Sequence, residues 1–451
     1  MITSSFCRRV AHALAAALLS TSTLPTALAD APDDPLLVAP APALRQLGSW
    51  EDAVSLQRGS SNDLRIAADE LLRARGQERA ALGGLLPSLD GNGLASFSLL
   101  PVEGGGSDDN SGALFGSETF QTLSLVAGLR VIDLQAWNAL AQARASRKVA
   151  LLSLADARRV LTASLAQALI AAVTSERMAE IARAGLRDAL SRQSLAERAH
   201  RGGASTEIDL ARVRQDSEAA RAQVVTADET LRQAREQLGL TLGLADPVGV
   251  QPSFQLNGLA ERARSGCTRV DALSARPDLL AARERERVAR RGVDDVRAQY
   301  APSVALRSTA QAYFIPDAGT FRLWNLQAVL TVPLWDGGIR EGSLRAAKAQ
   351  RSQAAQRRML ADRTATIEVA RAERGIGVAE SARAIATRAL EQATRNDALT
   401  RRAYDVGVGT SLELVTSAAL LRQQQLNLAL REFDVLRAKV AAIFALSDCP
   451  S

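Results

Sequence analysis

The most constraining feature of this 451-residue chain is that it carries one pattern twice. Asn62-Asp63-Leu64 followed by Leu86-Pro87-Ser88-Leu89 returns as Pro277-Asp278-Leu279 followed by Ala301-Pro302-Ser303-Val304, both at one offset. Arg130-Val131-Ile132-Asp133 returns as Pro333-Leu334-Trp335-Asp336, and Gly203-Ala204-Ser205-Thr206-Glu207-Ile208-Asp209-Leu210 as Gly407-Val408-Gly409-Thr410-Ser411-Leu412-Glu413-Leu414. Leu244-Ala245-Asp246-Pro247 is answered by Leu446-Ser447-Asp448-Cys449-Pro450. Such a repeat marks a structural unit that packs against its twin. The offset changes across Val102 to Glu118, a run of Gly, Ser, Asp and Asn that reads as an exposed connection.

Each copy reads as helix, two strands, very long helix, glycine turn and helix. The strands are expected at about 86–101 and 119–132 in the first repeat (30–260), and at about 302–314 and 321–334 in the second (261–451). Along Pro302 to Phe314, Val304, Leu306, Ser308, Ala310, Ala312 and Phe314 share one face, while Ala305, Arg307, Thr309, Gln311 and Tyr313 share the other. That is the period of two of a strand with one apolar face, at the length of a tilted membrane-spanning strand. A small soluble sheet packed on a helix would show the same alternation. The membrane reading makes a further demand. Four strands leave two open edges, and unpaired backbone groups in hydrocarbon are prohibitively costly, so several copies must close one barrel.

Trp137 to about His200 and Ile339 to Ala403 predict two helices of roughly 95 Å at 1.5 Å per residue, with Gly375 and Gly377 as a place to bend the second. After the first turn, Leu210, Val213, Ser217, Ala220, Val224, Ala227, Leu231, Ala234 and Leu238 step by three and four, a coiled-coil seam. Leu414, Leu421, Leu428 and Val435 keep a period of seven after the second turn, with a weaker seam through Gln424 and Arg431. The turns at about 200–206 and 404–411 are therefore tips of helical hairpins.

Residues 1–29 read as a cleaved export signal: Arg8 and Arg9, an apolar run from Val10 to Leu19, and Ala27-Leu28-Ala29 before Asp30. Cys7 lies in the basic region and gives no lipoprotein signal. The remaining cysteines, Cys267 and Cys449, enter an oxidising compartment, where they could pair or stay separate thiols. The net charge of +6 is spread in alternating signs along helix faces, which excludes a nucleic-acid patch. No metal-ligand spacing, phosphate loop or nucleophile–histidine pair is present, and no cofactor is implied. His200 stands alone beside a tip and reads as capping. Carboxylates are scattered along helices, where they are normally surface. An enzyme is not expected.

The order of these elements, the repeated entry DL…LPSL, the exit Val332-Pro333-Leu334-Trp335-Asp336-Gly337-Gly338 and the G-x-x-T-x-x-[D/E]-L tips resemble the TolC-like outer membrane efflux proteins, from about Leu44 to Leu446. The resemblance implies a mainly α fold with transmembrane β-strands. It implies a homotrimer in which each protomer gives four strands to a twelve-stranded barrel in outer-membrane lipid, continued by a periplasmic α-helical barrel. Such a duct passively conducts efflux or type I secretion substrates. Its partners would be a periplasmic adaptor protein and an inner-membrane efflux pump or ABC exporter. The alternative is an exported coiled-coil adaptor or scaffold without a pore.

The resemblance also implies sites. Val406-Gly407-Val408, and more loosely Gly202-Gly203-Ala204, stand where adaptor hairpins dock. Asp209 and Tyr404 occupy the positions of a periplasmic gate whose acidic and tyrosine side chains bond in the closed state. Glu413 stands at the first acidic position ringing the pore; Thr416 replaces the second, and Gly409 a basic partner. Cys267 and Cys449 fall in the belt around the middle of the helical barrel, where the resemblance leaves room for a staple between them.

Overall fold

The computed structural model describes residues 34–96, 120–254, 258–265, 267–269, 272–315 and 319–449. The expected leader at 1–29, the distal part of the first expected strand and the 102–118 connection lie outside the described residues.

In chain order the regular elements are β1 (Arg45–Leu47), α1 (Trp50–Ser60), α2 (Asn62–Gly83), β2 (Ser88–Ser96), β3 (Phe120–Ile132), α3 (Leu134–Arg201), α4 (Glu207–Leu242) and β4 (Val248–Val250). There follow α5 (Leu259–Ser265), β5 (Thr268–Arg269), α6 (Pro277–Ala298), β6 (Ser303–Ile315), β7 (Gly319–Thr331), α7 (Ile339–Asp405), α8 (Ser411–Ala445) and β8 (Ser447–Asp448). The strands β2, β3, β6 and β7 form one antiparallel sheet in that order. The register pairs Leu125 with Ala310 and Ala310 with Trp324, and on the other face Ser124 with Gln311 and Thr309 with Asn325. The period-two reading of the sequence thus becomes one apolar and one polar face. The apolar face is left uncovered: Leu125, Trp324, Leu326 and Leu330 are 51%, 74%, 68% and 64% exposed. A soluble sheet would have buried them. β7 stops at Thr331, short of the expected Leu334, because Pro333 has no N–H to give a ladder.

Asp336 turns the chain from strand to helix. Its carboxylate accepts from the backbone N–H of Gly338 (3.1 Å) and Arg340 (2.9 Å) and from Arg340 Nε (2.7 Å). Gly337 and Gly338 supply φ of +68° and +90°. Asp133 does the equivalent work in the first repeat as the N-cap of α3, accepting from Ala136 N–H at 3.0 Å.

α3 and α7, 68 and 67 residues long, are each roughly 100 Å rods. α7 is helical without interruption through Gly375 and Gly377. Two four-helix layers share these rods. Near the sheet, α2 packs on α3, α3 on α6 and α6 on α7; beyond the belt, α4 packs on α3, α3 on α8 and α8 on α7. The sheet and the layer next to it therefore have the same order of equivalent elements, with two open edges each. The expected seam on α4 is buried at Leu210, Val213, Ser217, Ala220, Val224, Leu231 and Leu238, while Ala227 and Ala234 are half-buried. On α8 the seam departs from expectation: Leu421 and Leu428 are half-buried, Arg431 is exposed, and the buried line runs through Leu414, Ala418, Arg422, Ala429 and Val435.

A belt surrounds the middle of the rods. β1 pairs in parallel with β4, and β5 antiparallel with β8. Leu165, Leu169 and Ile170 of α3, Leu238 and Leu242 of α4, Val440 and Phe444 of α8, Trp50 and Val248 form its core. Cys267 and Cys449 are joined in this core by a disulfide. The carbonyls at the end of α8 are held by two buried guanidinium groups: Arg159 Nη1 donates to Phe444 O (3.1 Å) and Arg276 Nη1 to Ala445 O (3.0 Å). From β1 the preceding chain runs as a strap back along α4. Arg235 Nη1 donates to Ala41 O (3.0 Å), Leu36 and Leu37 pack against Leu186 and Val224, and Asp34 meets Arg221 at 2.8 Å.

Candidate functional site

The two hairpin tips share one backbone pattern. At the first, Gly203 N–H donates to His200 O (2.9 Å) and Ala204 N–H to Ala199 O (2.9 Å), with Gly203 at φ +75°. At the second, Gly407 N–H donates to Tyr404 O (3.0 Å) and Val408 N–H to Ala403 O (3.0 Å), with Gly407 at φ +80°. Both are Schellman caps, which need a left-handed residue where glycine sits. Each return helix then opens with a capping box: Thr206 with Asp209, and Thr410 with Glu413. His200 completes the first tip, with Nδ1 3.0 Å from Ser205 O and Nε2 3.2 Å from Glu207. Val406 and Val408 project 74% and 80% exposed from the second tip, an apolar pair with no cover in the protomer. Gly202, Gly203 and Ala204 are also exposed but present almost no side chain.

Asp209 and Tyr404 do not bond to each other. Asp209 instead accepts a short hydrogen bond from Ser411 Oγ, besides those from Thr206 Oγ1 (2.7 Å) and Thr206 N–H (3.3 Å). Arg212 reaches the same place, with Nη1 3.5 Å from Ser411 Oγ. The link between the tips thus runs from the first turn of α4 to the first turn of α8. The Ser411 hydroxyl, then the Thr206 groups, hold the Asp209 pKa below its ordinary value. Glu413 accepts from Thr410 N–H (2.9 Å) and Oγ1 (3.0 Å), and these bonds lower its pKa as well. Both carboxyls are therefore charged at neutral pH.

Three turns inward lies a feature the sequence pattern had placed on the surface. Asp216 of α4 is 6% exposed and shared by two arginines, Arg192 of α3 (Nη2 3.2 Å) and Arg422 of α8, which makes a short bond to Oδ1. Burial presses the Arg192 pKa below its ordinary value, Asp216 opposes this, and Arg422 adds to it. Gly185 makes room for Arg422; a Cβ there would stand 2.5 Å from Arg422 Cδ. Arg183 with Asp228, and Asp397 with Arg401 (2.7 Å), are further ion pairs with buried members in the same bundle. Heptad counting hides these charges because it scores them as breaks in a seam.

Comparison with known proteins places this architecture. The model of the outer membrane efflux protein family matches residues 53–244 and 268–446. The chain belongs to that family. A pyoverdine export outer membrane protein, OpmQ of Pseudomonas putida, is 27% identical over 88% of this chain and 85% of its own length. The solvent efflux pump outer membrane protein SrpC of P. putida is 23% identical over 86% and 82%. Among solved structures, VceC of Vibrio cholerae superposes with a TM-score of 0.72 over 88% of this chain and 95% of that one, at 20% identity. The Campylobacter jejuni channel CmeC gives 0.75 over 88% and 85%, at 17% identity. These two share the fold. A family member of this build is an outer-membrane efflux channel: its uncovered apolar strands meet lipid, and its long helices reach away from the membrane. No described helix is itself long and apolar enough to cross a membrane.

Proposed function

We propose that three copies close into one duct that passively carries efflux or secretion substrates outward from an inner-membrane transporter, through a periplasmic adaptor docked on the hairpin tips. The observation that carries this reading is the matching set of open edges. β2 and β7 end the sheet, α2 and α7 the layer beside it, and α4 and α7 the layer beyond the belt. Joining each α7/β7 edge to the opposite edge of a neighbour satisfies all three levels at once. The edges suit each other. α7 leaves Leu360, Ile367, Val378, Ile385 and Leu399 exposed, and the opposing helices leave Ile66 and Leu72 on α2 and Val225 and Leu240 on α4. Twelve strands and twelve helices around the ring remove every sheet edge from hydrocarbon. An exported coiled-coil scaffold would have no use for a sheet whose apolar face is bare.

Val406-Gly407-Val408 is the stronger docking tip, since it offers apolar side chains beside a glycine that admits close backbone approach; Gly202-Gly203-Ala204 offers approach alone. Asp209, through Ser411, holds the two hairpins of a protomer together at the entrance. Glu413 gives one charge per protomer near the axis and a weak preference for cations. The mass of detergent-extracted protein, corrected for bound detergent, tests closure: a trimer of about 45 kDa chains, allowing for loss of the leader, is expected. A monomer soluble without detergent would overturn the reading.

A further inference from the structure

The Cys267–Cys449 bond encloses a particular part of the molecule. The 182-residue loop between the two cysteines contains α6, β6, β7, α7 and α8, the whole second repeat. It therefore contains β7 and α7, which form one side of every seam between copies, while β2, α2 and α4 on the other side lie outside it. Both cysteines are buried, 6% and 2% exposed, in the belt core. The two sulfurs are brought together within the second repeat by the β5–β8 pair beside them, and α3 and α4 of the first repeat complete the core around them. Arg159 from the first repeat and Arg276 from the second hold the carbonyls of Phe444 and Ala445, five and four residues from Cys449. Arg276 also reaches Glu368 in the middle of α7 (3.0 Å), which ties that edge helix to the same place. The bond thus fixes the origin from which the edge elements project.

We propose that oxidation of Cys267 and Cys449 is the committing step of assembly: it closes the second repeat before the first repeat covers the sulfurs, and before three protomers join. The inference rests on the trimeric reading above. In the reaction the thiolate of one cysteine attacks a disulfide of a periplasmic dithiol oxidant to give a mixed disulfide, and the second thiolate then displaces the oxidant. Two protons leave the cysteine thiols, two electrons pass to the oxidant, and the oxidant departs as a dithiol. Once closed, the bond is shielded from reductants by the core around it.

The test uses the full mature chain, unfolded in reductant and refolded into detergent micelles either with dithiothreitol or with an oxidised/reduced glutathione couple. Trimer yield is read by light scattering, and channel formation by conductance in planar bilayers. The oxidised sample should give trimers that conduct, and the reduced sample at least tenfold fewer, with the deficit recovered on adding oxidised glutathione. Cys267→Ser/Cys449→Ser should match the reduced sample in both buffers. Equal trimer yield from reduced and oxidised wild type would overturn the lock while leaving the trimer intact. Because the reduced wild type is its own reversible control, a folding defect peculiar to the serine variant does not decide the outcome. Failure of the oxidised protein to form trimers would instead remove the trimeric reading on which the lock stands.

Discussion

The shared carboxylate of Asp216 makes an asymmetric prediction. Two guanidinium groups, on Arg192 and Arg422, converge on one anion, and all three residues are less than a tenth exposed. Their two Nε–H groups have no partner among the described residues. Asp216→Asn leaves both cations buried without an anion, and breaking a buried pair in this way costs about 3–5 kcal/mol. Arg422→Met leaves a neutral Arg192–Asp216 pair and removes the cation that repels Arg192. Replacement of a surplus buried charge by an apolar chain of similar reach should change stability by about 1 kcal/mol or less. Gly185→Ala should be costly beside Arg422, whose Cδ lies 2.5 Å from the added Cβ, and less so in Arg422→Ala, giving a coupling of about 1 kcal/mol or more. The assay is loss of helical circular dichroism on heating in detergent at one scan rate, used to rank variants because a channel of this kind unfolds irreversibly. Equal losses for Asp216→Asn and Arg422→Met would refute the reasoning, since they would mean that the surplus cation is not a liability.

Gly243→Ala should destabilise strongly, because φ is +79° and the added Cβ would stand 2.4 Å from Ser60 O, whereas Gly76→Ala in open space on α2 should be neutral or gain up to about 1 kcal/mol; thermal midpoints compare them. Asp209 has a depressed pKa in the folded state, so its contribution is present above the ordinary carboxylate range and is lost as pH falls through the lower folded value. Entrance conductance should accordingly be flat from about pH 5 to 8 and rise only on acidification below about pH 4, and Asp209→Asn should reproduce the rise at neutral pH. Leu36→Ser with Leu37→Ser should speed amide exchange in α3 near Leu186 and in α4 near Val224 without changing exchange in the belt. Glu413→Gln should reduce cation selectivity in channel recordings; unchanged reversal potentials would confine Glu413 to its helix cap.

The repeat, the strand faces, the long helices and the tips were legible in the sequence because each rests on local periodicity or on a local backbone requirement. Alternation through Val304 to Phe314 fixes a face whatever the strand pairs with, and Gly203 and Gly407 fix a left-handed turn. Even the N3 acids of the caps follow from spacing alone. Contacts between distant segments were another matter. Asp209 turns to Ser411 rather than Tyr404 because α8 sits against the first turn of α4, a distance that no spacing encodes. Asp216 and Arg422 look like surface charges along their own helices and become buried only when α3, α4 and α8 pack around them. The strap at 34–41 and the β1–β4 pair carry too few residues for any period to emerge. The sequence by itself determined the elements, their duplication and their faces, since these depend on dihedral preference and residue spacing. Only the tertiary structure decided which polar groups are shared between elements and whether Cys267 and Cys449 meet, since burial and pairing are properties of the assembled layers.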